Sequence, residues 1–92
     1  MPERTATIAS RSGLHARPAA LFAEAAGDVG MDVTIAMQED PEDDALDASS
    51  ILSLMTLGAA QGDVVVLRAE GADADAALDS LVKLLETALA AE

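Results

Sequence analysis

Polar and apolar residues alternate in three stretches of this chain and recur at helical spacing in two others. Thr5-Ala6-Thr7-Ile8-Ala9 and Asp32-Val33-Thr34-Ile35-Ala36-Met37 alternate as half-buried strands do, the second with Val33, Ile35 and Met37 inward. Val64 to Ala69 is a third strand, with Arg68 toward solvent and Val65, Leu67 and Ala69 inside. Leu78, Leu81, Val82, Leu85 and Leu89 keep the spacing of one buried helical stripe, with Asp73 as N-cap and Asp75 in the first turn. Another helix follows Pro18, since no breaker stands between Ala19 and Ala26. Pro18, Leu21, Phe22, Ala25 and Val29 are expected on its buried face, and its end near Gly27, with Gly30 just beyond.

Two shorter elements lie between. Ala45-Leu46-Asp47-Ala48 reads as a short edge strand. Ser50 is a suitable N-cap for a helix over 51–57 that Gly58 closes. That segment is too short and too apolar to be wet on all sides. Leu54 and Leu57 are expected in the core, and Leu52 and Met55 outside as an apolar patch of the kind that marks a docking surface. Gln61-Gly62-Asp63 reads as a turn. Residues 38–44, Gln-Glu-Asp-Pro-Glu-Asp-Asp, form an acidic connection expected to be exposed, because charges so dense repel. They lack the alternating acids, central Gly and terminal Glu of a calcium loop, so no metal is expected there.

The element order is therefore β-α-β-β-α-β-α. Strands interrupted by helices, without repeated long crossovers, predict an α+β layer fold. A four-stranded antiparallel sheet carries the helices on one face, and Thr5, Thr7 and Thr34 point away from them. Residues 1–92 make a single domain at this length.

Composition narrows the functional classes. The apolar fraction is 51%, but 21 residues are Ala, and one Phe with no Tyr or Trp leaves Leu, Val, Ile and Met to fill the core. Without Cys there is neither a disulfide framework nor a thiolate metal site. No apolar run approaches the roughly 20 residues that span a bilayer, and 1–4 lacks the apolar core of a signal peptide. A cytoplasmic protein is expected. A net charge of −12 argues against nucleic acid, whose phosphates are met by Lys and Arg. Only five basic residues exist, and two of them, Arg11 and Arg17, flank the single histidine, His15.

His15 falls just ahead of the first helix, about where an N-cap belongs. The first N–H groups of a helix lack intrahelical partners and carry partial positive charge. Such an end keeps an imidazole neutral and nucleophilic, and welcomes an anion attached to it. Arg17 adds a fork that can hold two phosphate oxygens. The competing reading from residue types alone is that His15 only caps the helix.

Gly13-Leu14-His15-Ala16-Arg17-Pro18-Ala19 resembles the active-site signature of HPr, the histidine-containing phosphocarrier of the bacterial sugar phosphotransferase system. The resemblance continues through the segment from Ser50 to Gly58 and covers nearly the whole chain. It implies an open-faced β-sandwich, no cofactor, and a carrier rather than an enzyme; a monomer is expected. It further implies that His15 is phosphorylated on Nδ1 by enzyme I and passes the group to a sugar-specific enzyme IIA. Arg17 assists, Ala16 and Arg17 hold the phosphoryl oxygens through backbone N–H groups, and the apolar helix carrying Leu52 and Met55 docks both partners. In some branches the serine matching Ser50 is the target of a regulatory kinase. Glu24 and Gly27 stand where many relatives carry lysines. A paralogue signalling nitrogen or carbon status, or a binding module without phosphoryl chemistry, remains the alternative.

Overall fold

The computed structural model describes residues 2–9, 16–39 and 45–86, with Ala16, Arg17 and Pro18 described by backbone alone. The elements are β1 (Glu3–Thr7), α1 (Ala16–Asp28), β2 (Val33–Met37), β3 (Leu46–Asp47), α2 (Ile51–Leu57), β4 (Val64–Ala69) and α3 (Ala74–Glu86). The four strands form one antiparallel sheet in the order β1-β4-β2-β3. Three helices complete the α+β layer fold expected from the element order, in the open-faced sandwich that the resemblance implied.

β4 is central because its apolar residues can be covered on both sides. Thr5 and Ala36 both pair with Val66 across it, while Arg4 and Ile35 both pair with Leu67. Val65, Leu67 and Ala69 are buried, as their alternation predicts. They meet Ala6, Ile8, Val33 and Ile35 from the sheet and Phe22, Leu54, Leu78, Leu81 and Leu85 from the helices. Thr5 and Thr7 are exposed on the opposite face, and Thr34 is half-buried.

That second face is less open than the alternation suggests. Arg68, expected toward solvent, keeps only 13% of its side chain exposed, and its Nε donates to Glu3 Oε1 at 3.3 Å. Its cross-strand neighbours Glu3 and Thr34 flank it, beside a depression of about 390 Å³ that Asp32 and Glu70 also line. A long side chain lying along a sheet buries its stem even where no helix covers it.

Two boundaries differ from expectation. β1 begins at Glu3 and ends at Thr7, earlier than the alternation implied, because Glu3 and Arg4 pair with Arg68 and Leu67. Ile8 and Ala9 then leave the ladder for other partners. Gly27 is not a left-handed cap but lies inside α1, and Gly30, with φ 76°, makes the turn.

The buried face of α1 also differs. Ala19, Phe22, Ala23 and Ala26 form it, while Leu21 is 44% exposed and Ala25 and Val29 are only partly covered. The small alanines let α1 lie close to α2 and α3, the elements it packs against, and Phe22 is its one large fully buried side chain. In α3 the expected stripe is present: Ala74, Ala77, Leu78, Leu81 and Leu85 are buried and Val82 packs at its margin. Leu89 lies outside the described residues. Arg4 fastens this helix to the edge strand, its Nη2 3.1 Å from Asp75 and its Nε 3.0 Å from Asp79. Hydrogen bonding to Asp79, joined by the charge of Asp79 and by the hydrogen bond and charge of Asp75, raises the already high pKa of Arg4 against the opposing cost of desolvation.

Candidate functional site

Two described segments bracket the histidine. On the incoming side the chain is held after β1 by three backbone bonds. Ile8 N–H donates to Asp63 O at 2.9 Å, Gly62 N–H to Ile8 O at 2.9 Å, and Ala9 N–H to Leu85 O at 3.0 Å. Gln61 Nε2 donates to the carbonyl of Ala9 at 3.3 Å. The turn at 61–63 and the end of α3 therefore fix where the loop begins, with every backbone polar group of Ala9 partnered.

On the outgoing side α1 begins at Ala16, the residue after His15. Ala16, Arg17 and Pro18 fill its first turn. Their position leaves the N–H groups of Ala16 and Arg17 without intrahelical partners, while Pro18 has no N–H to leave. The first turn of α1 contains no acidic residue, so nothing on the helix itself neutralises its positive end. His15 and Arg11 lie outside the described residues, as does most of the acidic connection, 40–44.

α2 is framed as its sequence requires. Ser50, at φ −106° and ψ 119°, is its N-cap, and its hydroxyl accepts from Ser53 N–H at 3.3 Å. Gly58 closes the helix in the left-handed region at φ 64°, donating its N–H to Leu54 O. The turn ahead is set by Asp47, whose Oδ1 accepts from Ser49 Oγ at 2.7 Å and from Ser49 N–H at 2.9 Å. Those two bonds hold the Asp47 carboxyl below its ordinary value, the hydroxyl contributing most. The short helix anchors through Leu54, fully buried, with Leu57 packed at the core margin.

Its other side is open. Leu52 is 78% exposed, Met55 46% and Ile51 43%, and Leu21 of α1, the helix that α2 packs against, is exposed as well. Sequence reasoning identified Leu52 and Met55 but missed Ile51 and Leu21. The signal for Leu21 was present: it stands two residues from Ala19, which on a helix turns it nearly opposite the stripe of Ala19, Phe22, Ala23 and Ala26.

The sequence as a whole matches the family described as "PTS HPr component phosphorylation site" over residues 2–87. The chain belongs to the HPr family. The HPr of Haloferax volcanii is 45% identical over 85 residues, covering 92% of this chain and 93% of that protein. The HPr of Streptomyces coelicolor is 39% identical over 89 residues, covering 97% and 92%. Among solved structures, HPr from Thermoanaerobacter tengcongensis superposes with a TM-score of 0.80 at 41% identity, covering 94% of this chain and 92% of that one. A phosphoryl-carrier role in the phosphotransferase system comes with HPr membership. Among the described residues no helix is long and apolar enough to cross a membrane.

Proposed function

We propose that this chain accepts a phosphoryl group on His15 from phospho-enzyme I and passes it to the histidine of a sugar-specific enzyme IIA. The observation that carries the reading is that α1 starts at Ala16, directly after the chain's single histidine, within a sequence matching the HPr family from residue 2 to 87. A neutral ring nitrogen of His15 attacks phosphorus in line as the P–N bond to the donor histidine breaks. The new P–N bond leaves the phosphoryl oxygens at the amide end of α1. The N–H groups of Ala16 and Arg17 and the Arg17 guanidinium hold them there.

Each charge-assisted hydrogen bond of this kind contributes about 1.5–3 kcal/mol. A carrier must also release its cargo, so a few such bonds suit the task better than a closed cage would. Leu52 and Met55 supply the contact that brings donor and acceptor proteins to the histidine. Ser50, the cap of α2 next to that contact, is the residue at which a serine kinase would interrupt it.

The test is incubation with enzyme I and phosphoenolpyruvate, followed by analysis for an acid-labile phosphate. The wild-type chain should carry one on His15. His15→Ala should carry none while keeping its circular dichroism spectrum. Labelling of that variant at the wild-type rate would end the proposal.

A further inference from the structure

The apolar face of α1 and α2 has an acidic border. On α1, Leu21, Glu24 and Asp28 recur three and four residues apart, which lines them up on the side opposite the buried stripe. All three are exposed. On the approach to α2, Asp47 is exposed and ionised below its ordinary carboxyl pKa. The cations with described side chains lie elsewhere, while Arg17, described by backbone alone, stands in the first turn of α1. Arg4 is committed to Asp75 and Asp79 of α3, Arg68 is on the far face of the sheet beside Glu3, and Lys83 is on α3. The exposed side chains described on α1 and α2 are thus apolar or acidic apart from the hydroxyl of Thr56, and none is basic.

Two apolar surfaces gain by meeting, but desolvating a carboxylate beside them is costly unless the partner offers it a cation. Placing a like-charged rim there would suppress the encounter.

We propose that the proteins docking on Leu21, Leu52 and Met55 present an apolar recess bordered by lysine and arginine side chains, which Glu24 and Asp28 meet. This rests on the carrier reading above and adds the charge of the partner's surface to it. The attraction acts mainly on the rate of encounter, so it is largest at low ionic strength.

Phosphoryl transfer from enzyme I tests it, with the concentration of this chain varied. Glu24→Lys should raise KM roughly tenfold at low salt and much less at high salt, with kcat unchanged. The pair Thr5→Lys and Thr7→Lys makes the same two-unit change of net charge on the helix-free face of the sheet and should alter KM less than about twofold. An unchanged KM for Glu24→Lys, or a lower one, would overturn the basic border while leaving the carrier reading intact. A wild-type chain that takes no phosphoryl group at all would overturn both.

Discussion

The Ser50 hydroxyl accepts a hydrogen bond from the Ser53 N–H at 3.3 Å, and this contact starts α2. With Gly58 it encloses a helix of only seven residues, too short to persist by propagation alone. Ser50→Ala should therefore lower the urea midpoint by an amount equivalent to about 1 kcal/mol, whereas Ser50→Asp, which keeps an acceptor, should stay near wild type. Equal midpoints for wild type and Ser50→Ala would show that the cap contributes nothing.

Leu54 and Leu52 sit two residues apart on that helix with opposite surroundings, the first fully buried and the second 78% exposed. Leu54→Ala removes a side chain from the core and should cost about 2–5 kcal/mol in chemical denaturation. Leu52→Ala should stay within about 0.5 kcal/mol of wild type, since it removes almost nothing from the interior. Its effect belongs to docking: KM for enzyme I should rise without loss of stability. Comparable destabilisation by both substitutions would refute the assigned orientation of α2.

How far the sequence speaks for itself depends on what carries the signal. α2 was legible because two backbone requirements, an acceptor at Ser50 and a left-handed residue at Gly58, mark its ends whatever surrounds it. β4 was legible because Val65, Leu67 and Ala69 alternate around one charged residue. The face of α1 was misread because Leu21 outranks Ala19, Ala23 and Ala26 in hydrophobicity. Close packing of α1 against α2 and α3 favours the smaller side chains, and only the fold reveals where that packing occurs. Arg68 and Val66 could not be read at all. Their burial on the helix-free face comes from cross-strand neighbours that pairing, not local pattern, brings together. At the site, the helix start after His15 followed from Pro18 and the unbroken run behind it. His15 itself lies outside the described residues.

Asp47 links the edge strand to α2 and makes stability depend on pH. Its two bonds from Ser49 favour the ionised carboxylate, so its pKa in the folded chain is below the ordinary 3.8. A lowered folded pKa adds stability that is complete above the unfolded value and disappears as pH falls through the folded one. The gap in urea midpoint between wild type and Asp47→Asn should hold from neutral pH down to that ordinary value, then close in more acidic buffer. A gap that widened with acidification would contradict the sign.

Seventeen acidic residues against five basic ones leave a net charge of −12 on a chain of 92 residues. Ion pairs among the described residues include Arg4 with Asp75 and Asp79, and Arg68 with Glu3. Such pairs are worth little on an exposed surface, and mutual repulsion of the remaining carboxylates opposes compactness. Raising ionic strength from about 0.1 to 1 M shortens the screening length from about 10 to 3 Å. The melting temperature should rise over that range of potassium chloride. A flat or falling curve would mean the exposed pairs outweigh the repulsion.

Arg17 occupies the second position of α1, where a cation opposes the helix dipole rather than complementing it. α3 shows the favourable arrangement, with Asp75 in its first turn and Lys83 in its last. A residue chosen for helix stability would not be an arginine at this point. Arg17→Ala should accordingly leave the urea midpoint unchanged or slightly higher. On the carrier reading it should nonetheless slow phosphoryl transfer roughly tenfold to a hundredfold, the loss of one charge-assisted hydrogen bond at about 1.4 kcal/mol per factor of ten. Rapid-quench transfer from phospho-enzyme I, run beside denaturation of the same sample, separates the two effects. If stability fell while transfer kept its speed, Arg17 would be a structural residue and the phosphoryl group would be held by the amides of α1 alone.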